Sequence, residues 1–132
     1  MRKKIFLVFA SSFLIICINA QKNEVRVFEK VELEANTNAK TWMEHIKKRT
    51  QLPDSILNSI PAGTYIINVQ FIIDKHGNIG QVKVKNDPGY GLAVRAENII
   101  STYTGTWWPA TQCGRNVKAY RMQPITFIIP SQ

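Results

Sequence analysis

The side chains that stand out as candidates for acid–base, metal or nucleophilic chemistry are His45, His76, Asp74, Asp87, Cys17 and Cys113. Neither histidine has a nucleophile at a spacing that would make it a general base. Asp74 opens Asp74-Lys75-His76-Gly77-Asn78 and Asp87 precedes Pro88-Gly89. A short carboxylate in such a setting accepts from backbone N–H groups just downstream and fixes a turn. Both aspartates fit that task better than an acid–base pair. No phosphate loop appears, and beyond residue 20 His45 and His76 with Cys113 give a metal little to hold it. The expectation is a protein that is not an enzyme and carries no metal and no cofactor.

Charge bounds the function next. Lys47, Lys48 and Arg49 form the one basic cluster of the domain. They fall in the last turn of a predicted helix, where cations face the negative end of the helix dipole. The chain is basic throughout, at +8. A nucleic-acid surface interleaves aromatic and basic residues, and no such interleaving is present, so nucleic acid is not expected as a partner.

The N-terminus reads as an export signal. Arg2, Lys3 and Lys4 precede an almost wholly apolar run from Ile5 to Ile18, and Ala20 offers a small residue for cleavage before Gln21. The run is shorter than the roughly 20 residues of a membrane-spanning helix. A cleaved signal peptide over residues 1–20 is therefore expected, with an uncleaved signal anchor as the alternative and the one route to membrane contact. Loss of Arg2, Lys3 and Lys4 takes the net charge from +8 to +5. Cleavage also leaves Cys113 alone, so no intrachain disulfide is expected.

The elements that must position these groups follow from periodicity. Residues 21–30 read as a loose lead-in, and Val27 to Leu33 alternates as a strand with mixed faces. Asn38 ends a capping loop before a helix bearing Trp42, Met43 and Ile46 on one face. Pro53 starts a short helical turn with Ile56, Leu57 and Ile60. Tyr65, Ile67, Val69, Phe71 and Ile73 then alternate as a half-buried strand. Gly77 turns the chain back into Val82 and Val84, completing a β-hairpin. Pro88-Gly89-Tyr90-Gly91 leads into a helix whose buried face is Leu92, Ala93, Ala96, Ile99, Ile100 and Tyr103. After Trp107-Trp108 and a polar turn over residues 111–116, Val117 to Ile129 reads as one long strand. Pro124 inside it marks a sheet edge or a bulge. One of the two tryptophans is expected to close the core with its N–H on a backbone carbonyl, and the other to be exposed. The order β-α-β-β-α-β implies an α+β domain over residues 31–132, with two helices on one face of a small antiparallel sheet.

In this order the motifs resemble the C-terminal domain of TonB, in the form common in Bacteroidetes. The hairpin Phe71-Ile72-Ile73-Asp74-Lys75-His76-Gly77, then Ile79 and Val82-Lys83-Val84, fits that pattern. So do Pro53, the segment Trp107-Trp108-Pro109-Ala110, and Pro124-Ile125-Thr126-Phe127 in the last strand. The resemblance spans about residues 31–129. A full TonB also carries a transmembrane helix and a proline-rich linker, and neither is evident upstream.

The resemblance implies a periplasmic module of a Gram-negative bacterium that supports transmembrane transport. Its partner would be the extended N-terminal segment of a TonB-dependent outer-membrane receptor, bound by strand addition. The edge implied for that partner is Val117, Lys118, Ala119, Tyr120, Arg121, Met122 and Gln123, assisted by Arg115. The alternative is an exported structural or assembly domain of the same fold that pairs with another partner or with itself as a homodimer.

Overall fold

The computed structural model describes residues 26–132; the segment read as a signal peptide lies outside the described residues. The chain forms β1 (Asn36–Thr37), α1 (Ala39–Thr50), α2 (Asp54–Leu57), β2 (Gly63–Ile73) and β3 (Ile79–Val84). It continues with α3 (Leu92–Ser101), β4 (Trp107–Trp108), β5 (Ala110–Gln112), β6 (Arg115–Val117) and β7 (Ala119–Ile129). This is an α+β domain. Its main sheet is antiparallel in the order β3-β2-β7, flanked by two small two-stranded sheets, β1-β4 and β5-β6. No helix among the described residues is long and apolar enough to cross a membrane.

Burial follows the period of two. Along β7, Ala119, Ile125, Phe127 and Ile129 are buried and Tyr120, Met122, Pro124, Thr126 and Ile128 are exposed. In β2, Ile67, Val69, Phe71 and Ile73 lie on the same side and form one core with Trp42 and Ile46 of α1 and with Leu92, Ala96, Ile99 and Ile100 of α3. Both long helices thus cover one face of the sheet. On the other face, Ile72 is the one buried residue of β2, opposite Tyr120.

Local chemistry explains the ends of the elements. The Asn38 side chain accepts from the Thr41 N–H at 3.2 Å and caps α1, whose last turn holds Lys47, Lys48 and Arg49. Met43 sits about 100° around the helix from Trp42 and is exposed, which corrects the expectation that it shares the buried face. Gly91, at φ 72°, caps α3.

The β2–β3 hairpin carries a bulge. Gln70 stands opposite Lys83 but Ile72 opposite Gly80, so β3 holds one extra residue, and Gln81 takes φ 46° there. The extra residue shifts the side-chain parity, which lets Ile79, Val82 and Val84 all pack against the core.

Asp74 holds the turn of that hairpin. Its carboxylate accepts from the backbone N–H groups of His76 and Asn78, both at 2.9 Å, and from the Asn78 side chain at 3.2 Å. Burial alone would raise its pKa. The hydrogen bonds from Asn78 and His76, with the charge of His76, outweigh that and hold the pKa below the ordinary 3.8. A carboxyl with a depressed folded-state pKa stabilises the fold above its unfolded value and loses that contribution as pH falls through the folded one. The urea midpoint should therefore drop on acidification below about 3.8, and Asp74→Asn should flatten that acid limb; an unchanged limb would remove Asp74 from the account.

Further expectations are revised. Val27 to Leu33 is not a regular strand, because only Phe28 and Leu33 make bridges, to Ala119 and Thr111. The polar turn is a hairpin, β5 to β6, closed by Cys113 and Gly114 at φ 51° and 73° in the manner of a type I′ turn, so the last strand is split at Lys118.

Candidate partner-binding edge

The site is built from β7, an edge strand of eleven residues paired along its whole length with β2, from Ile73 opposite Ala119 to Gly63 opposite Ile129. Backbone groups of successive residues in such a strand point alternately toward and away from the partner. The Tyr120 N–H points away from β2, since it donates to the Phe28 carbonyl at 2.9 Å. Met122, Pro124, Thr126 and Ile128 must then also direct their backbone groups outward. Pro124 lies opposite Asn68, so its missing N–H removes no bond from the sheet. That is why a proline is tolerated inside so long a strand.

Beyond Tyr120, no strand among the described residues pairs with this edge. The Pro124 carbonyl takes one bond from the Gln123 side-chain Nε2 at 3.0 Å. The face alongside is unusually apolar for solvent-facing sheet: Met122 is 47% exposed, Ile128 71% and Ile66 of β2 54%. Backbone donors and acceptors in a row beside apolar side chains are what an incoming extended chain needs. The other edge, β3, has six residues, a bulge and Lys83, all features that discourage pairing.

The eight residues expected to contact a partner fall into different environments. Arg115 and Val117 lie on β6, where Arg115 is exposed opposite Gln112 and Val117 packs against the core opposite Ala110. Ala119 is buried. Arg121 forms an ion pair with Glu34. Gln123 accepts from the Trp42 indole N–H at 2.9 Å, so it ties α1 to the sheet. The Lys118 carbonyl and the Tyr120 N–H are both taken by Phe28. Met122 is both exposed and on the unpaired edge.

Residues that the sequence did not single out also belong to this place. Phe28 packs against the core and lies parallel to β7, and Arg26 stands 5.4 Å above its ring. Glu29 lines two grooves of about 580 and 310 Å³ that meet at Gln70 and Tyr120, one reaching Lys83 and Lys85, the other Arg121 and Met122. The alternation from Val27 to Leu33 was the available signal; it carries no information about which strand Phe28 would meet.

Behind the edge lies an aromatic cluster. Trp42 makes edge contacts with Tyr103 and Trp107 at centroid distances of 4.7 and 5.2 Å, and Phe71 meets Trp107 at 5.6 Å. Trp107 is the buried tryptophan and Trp108 the exposed one. The Trp107 indole N–H has no hydrogen-bond partner among the described residues, which corrects the expectation of a carbonyl there. No protein-family model matches the chain, and none of the curated proteins matches it.

Proposed function

We propose that this is a TonB-like periplasmic docking module that binds an extended segment of an outer-membrane receptor by strand addition to β7. The observation that carries the reading is the stretch of edge from Met122 to Ile128, which no strand among the described residues pairs and which exposed apolar side chains flank. Main-chain pairing there supplies affinity, and alternate side chains set selectivity. The motif order from the hairpin glycine to Pro124-Ile125-Thr126-Phe127 supports the TonB-like topology. The same edge fits a second copy of the chain, since Met122, Ile128 and Ile66 would be covered by a β7–β7 pair.

The test is an NMR titration of the isotope-labelled full chain with peptides from the N-termini of TonB-dependent receptors. Saturable shifts confined to Met122 through Ile128 are expected. A folded, monomeric protein whose amides stay still at about 1 mM peptide, a level at which even 4 kcal/mol of binding would register, would end the receptor reading. Shifts at those residues that depend on protein concentration alone would assign the edge to a homodimer.

A further inference from the structure

The place expected for the partner is already filled at one end by the chain itself. The Phe28 N–H donates to the Lys118 carbonyl and the Tyr120 N–H donates to the Phe28 carbonyl, each at 2.9 Å, and the two segments run parallel. The Phe28 ring packs on the core, and Glu29 lies over the groove lined by Gln70, Tyr120, Lys83 and Lys85. This is one bridge residue, not a ladder. The next ties are at Val31, which packs against the core, Glu32, whose N–H donates to the Gln112 side chain at 3.0 Å, and Leu33, which exchanges bonds of 2.9 and 3.2 Å with Thr111; Ala35 beyond them is buried. Among the described residues, 26–30 are thus held to β7 through Phe28 alone, ahead of the anchored stretch that begins at Val31.

We infer that residues 26–30 occupy part of the partner site in cis and display the chemistry of what replaces them. The partner is an extended segment parallel to β7, with a large aromatic or apolar residue at the Phe28 position followed directly by an acidic one. The aromatic residue fills the site on the core, and the carboxylate faces Lys83 and Lys85 of β3. From there the partner continues onto the open edge at Met122. The inference rests on the docking reading above, to which it adds direction, sequence preference and a built-in competitor. A competitor in cis lowers the apparent affinity by the fraction of time the site is free.

The probe is a peptide of residues 25–32 of this chain, titrated into the labelled full-length protein and into its Phe28→Pro variant. Proline at that position removes the N–H that bonds Lys118. The peptide should bind the variant at least about tenfold more tightly than the wild type, with shifts at Lys118, Tyr120, Gln70 and Lys83. The peptide carrying Phe28→Ala or Glu29→Lys should lose most of that binding. If Phe28→Pro perturbs the amides of residues 35–132, the Phe28→Ala protein, which keeps the backbone bonds and loses the ring, decides instead and should show a smaller gain. Equal affinity for wild type and variant, or equal affinity for the three peptides, would overturn the inference. In that case receptor peptides that still shift Met122 through Ile128 would leave the docking reading standing, and their failure as well would remove both.

Discussion

Trp107→Ala should lower the unfolding free energy by about 4 kcal/mol, whereas Trp108→Ala, one residue along, should change it by no more than about 0.5 kcal/mol. Trp107 is 4% exposed and touches Trp42 and Phe71 edge-on, so truncation opens a cavity where α1, β2 and β4 meet. Trp108 is 56% exposed. The total stability of a domain this size is on the order of 5–15 kcal/mol, so the first change removes a large share of it. Trp107→Phe separates packing from polarity. It keeps an aromatic ring in place and deletes an indole N–H that has no partner among the described residues, so it should cost less than about 1.5 kcal/mol. Urea denaturation of the three variants reads all of this. A loss for Trp108→Ala comparable to that for Trp107→Ala would show that the two rings are not divided between core and surface.

Gly77→Ala should cost about 3 kcal/mol, from two separate causes. Gly77 takes φ +84°, a conformation that costs an L-residue about 1–2 kcal/mol. A Cβ there would also lie 2.3 Å from the Trp107 carbonyl oxygen, so backbone must move, at about 1–3 kcal/mol. Gly89→Ala provides the comparison. Its φ is +89° but its Cβ would meet nothing within 4 Å, so only the conformational part applies. The difference between the two midpoints therefore measures the clash alone. Equal losses would mean that the hairpin turn does not press on Trp107. The glycine of the Phe71-to-Gly77 motif thus has a tertiary reason as well as a local one: it brings the β2–β3 turn against the Trp107 backbone.

Local patterns carried much of the fold. Alternation from Tyr65 to Ile73, broken only by Ile66 and Ile72, determined β2 and its buried face, because one-residue slippage would turn Phe71 and Val69 to solvent. Asp74 and Gly77 determined the turn through chemistry contained within five residues. The buried face of α3 followed from its helical spacing, as did the place of Lys47 to Arg49 in the last turn of α1. Other features were not legible. Met43 was misplaced because the apolar type of a residue does not say which way a 100° step turns it. The mixed faces of Val27 to Leu33 concealed that only two of its residues bridge.

The candidate edge divides the same way. From the sequence alone, Pro124 shows that the last strand cannot be a fully bonded inner strand, since proline has no N–H to give a second neighbour. Which part of that strand is open was decided only in three dimensions. Phe28 lies some ninety positions before Ala119, and a bridge across that separation depends on packing rather than on any local preference. The same packing pairs Gln123 with Trp42 and Arg121 with Glu34, so two polar side chains expected to meet a partner already have one within the chain. Periodicity records which face of an element is buried; only the assembled sheet records which of its hydrogen bonds remain to be made.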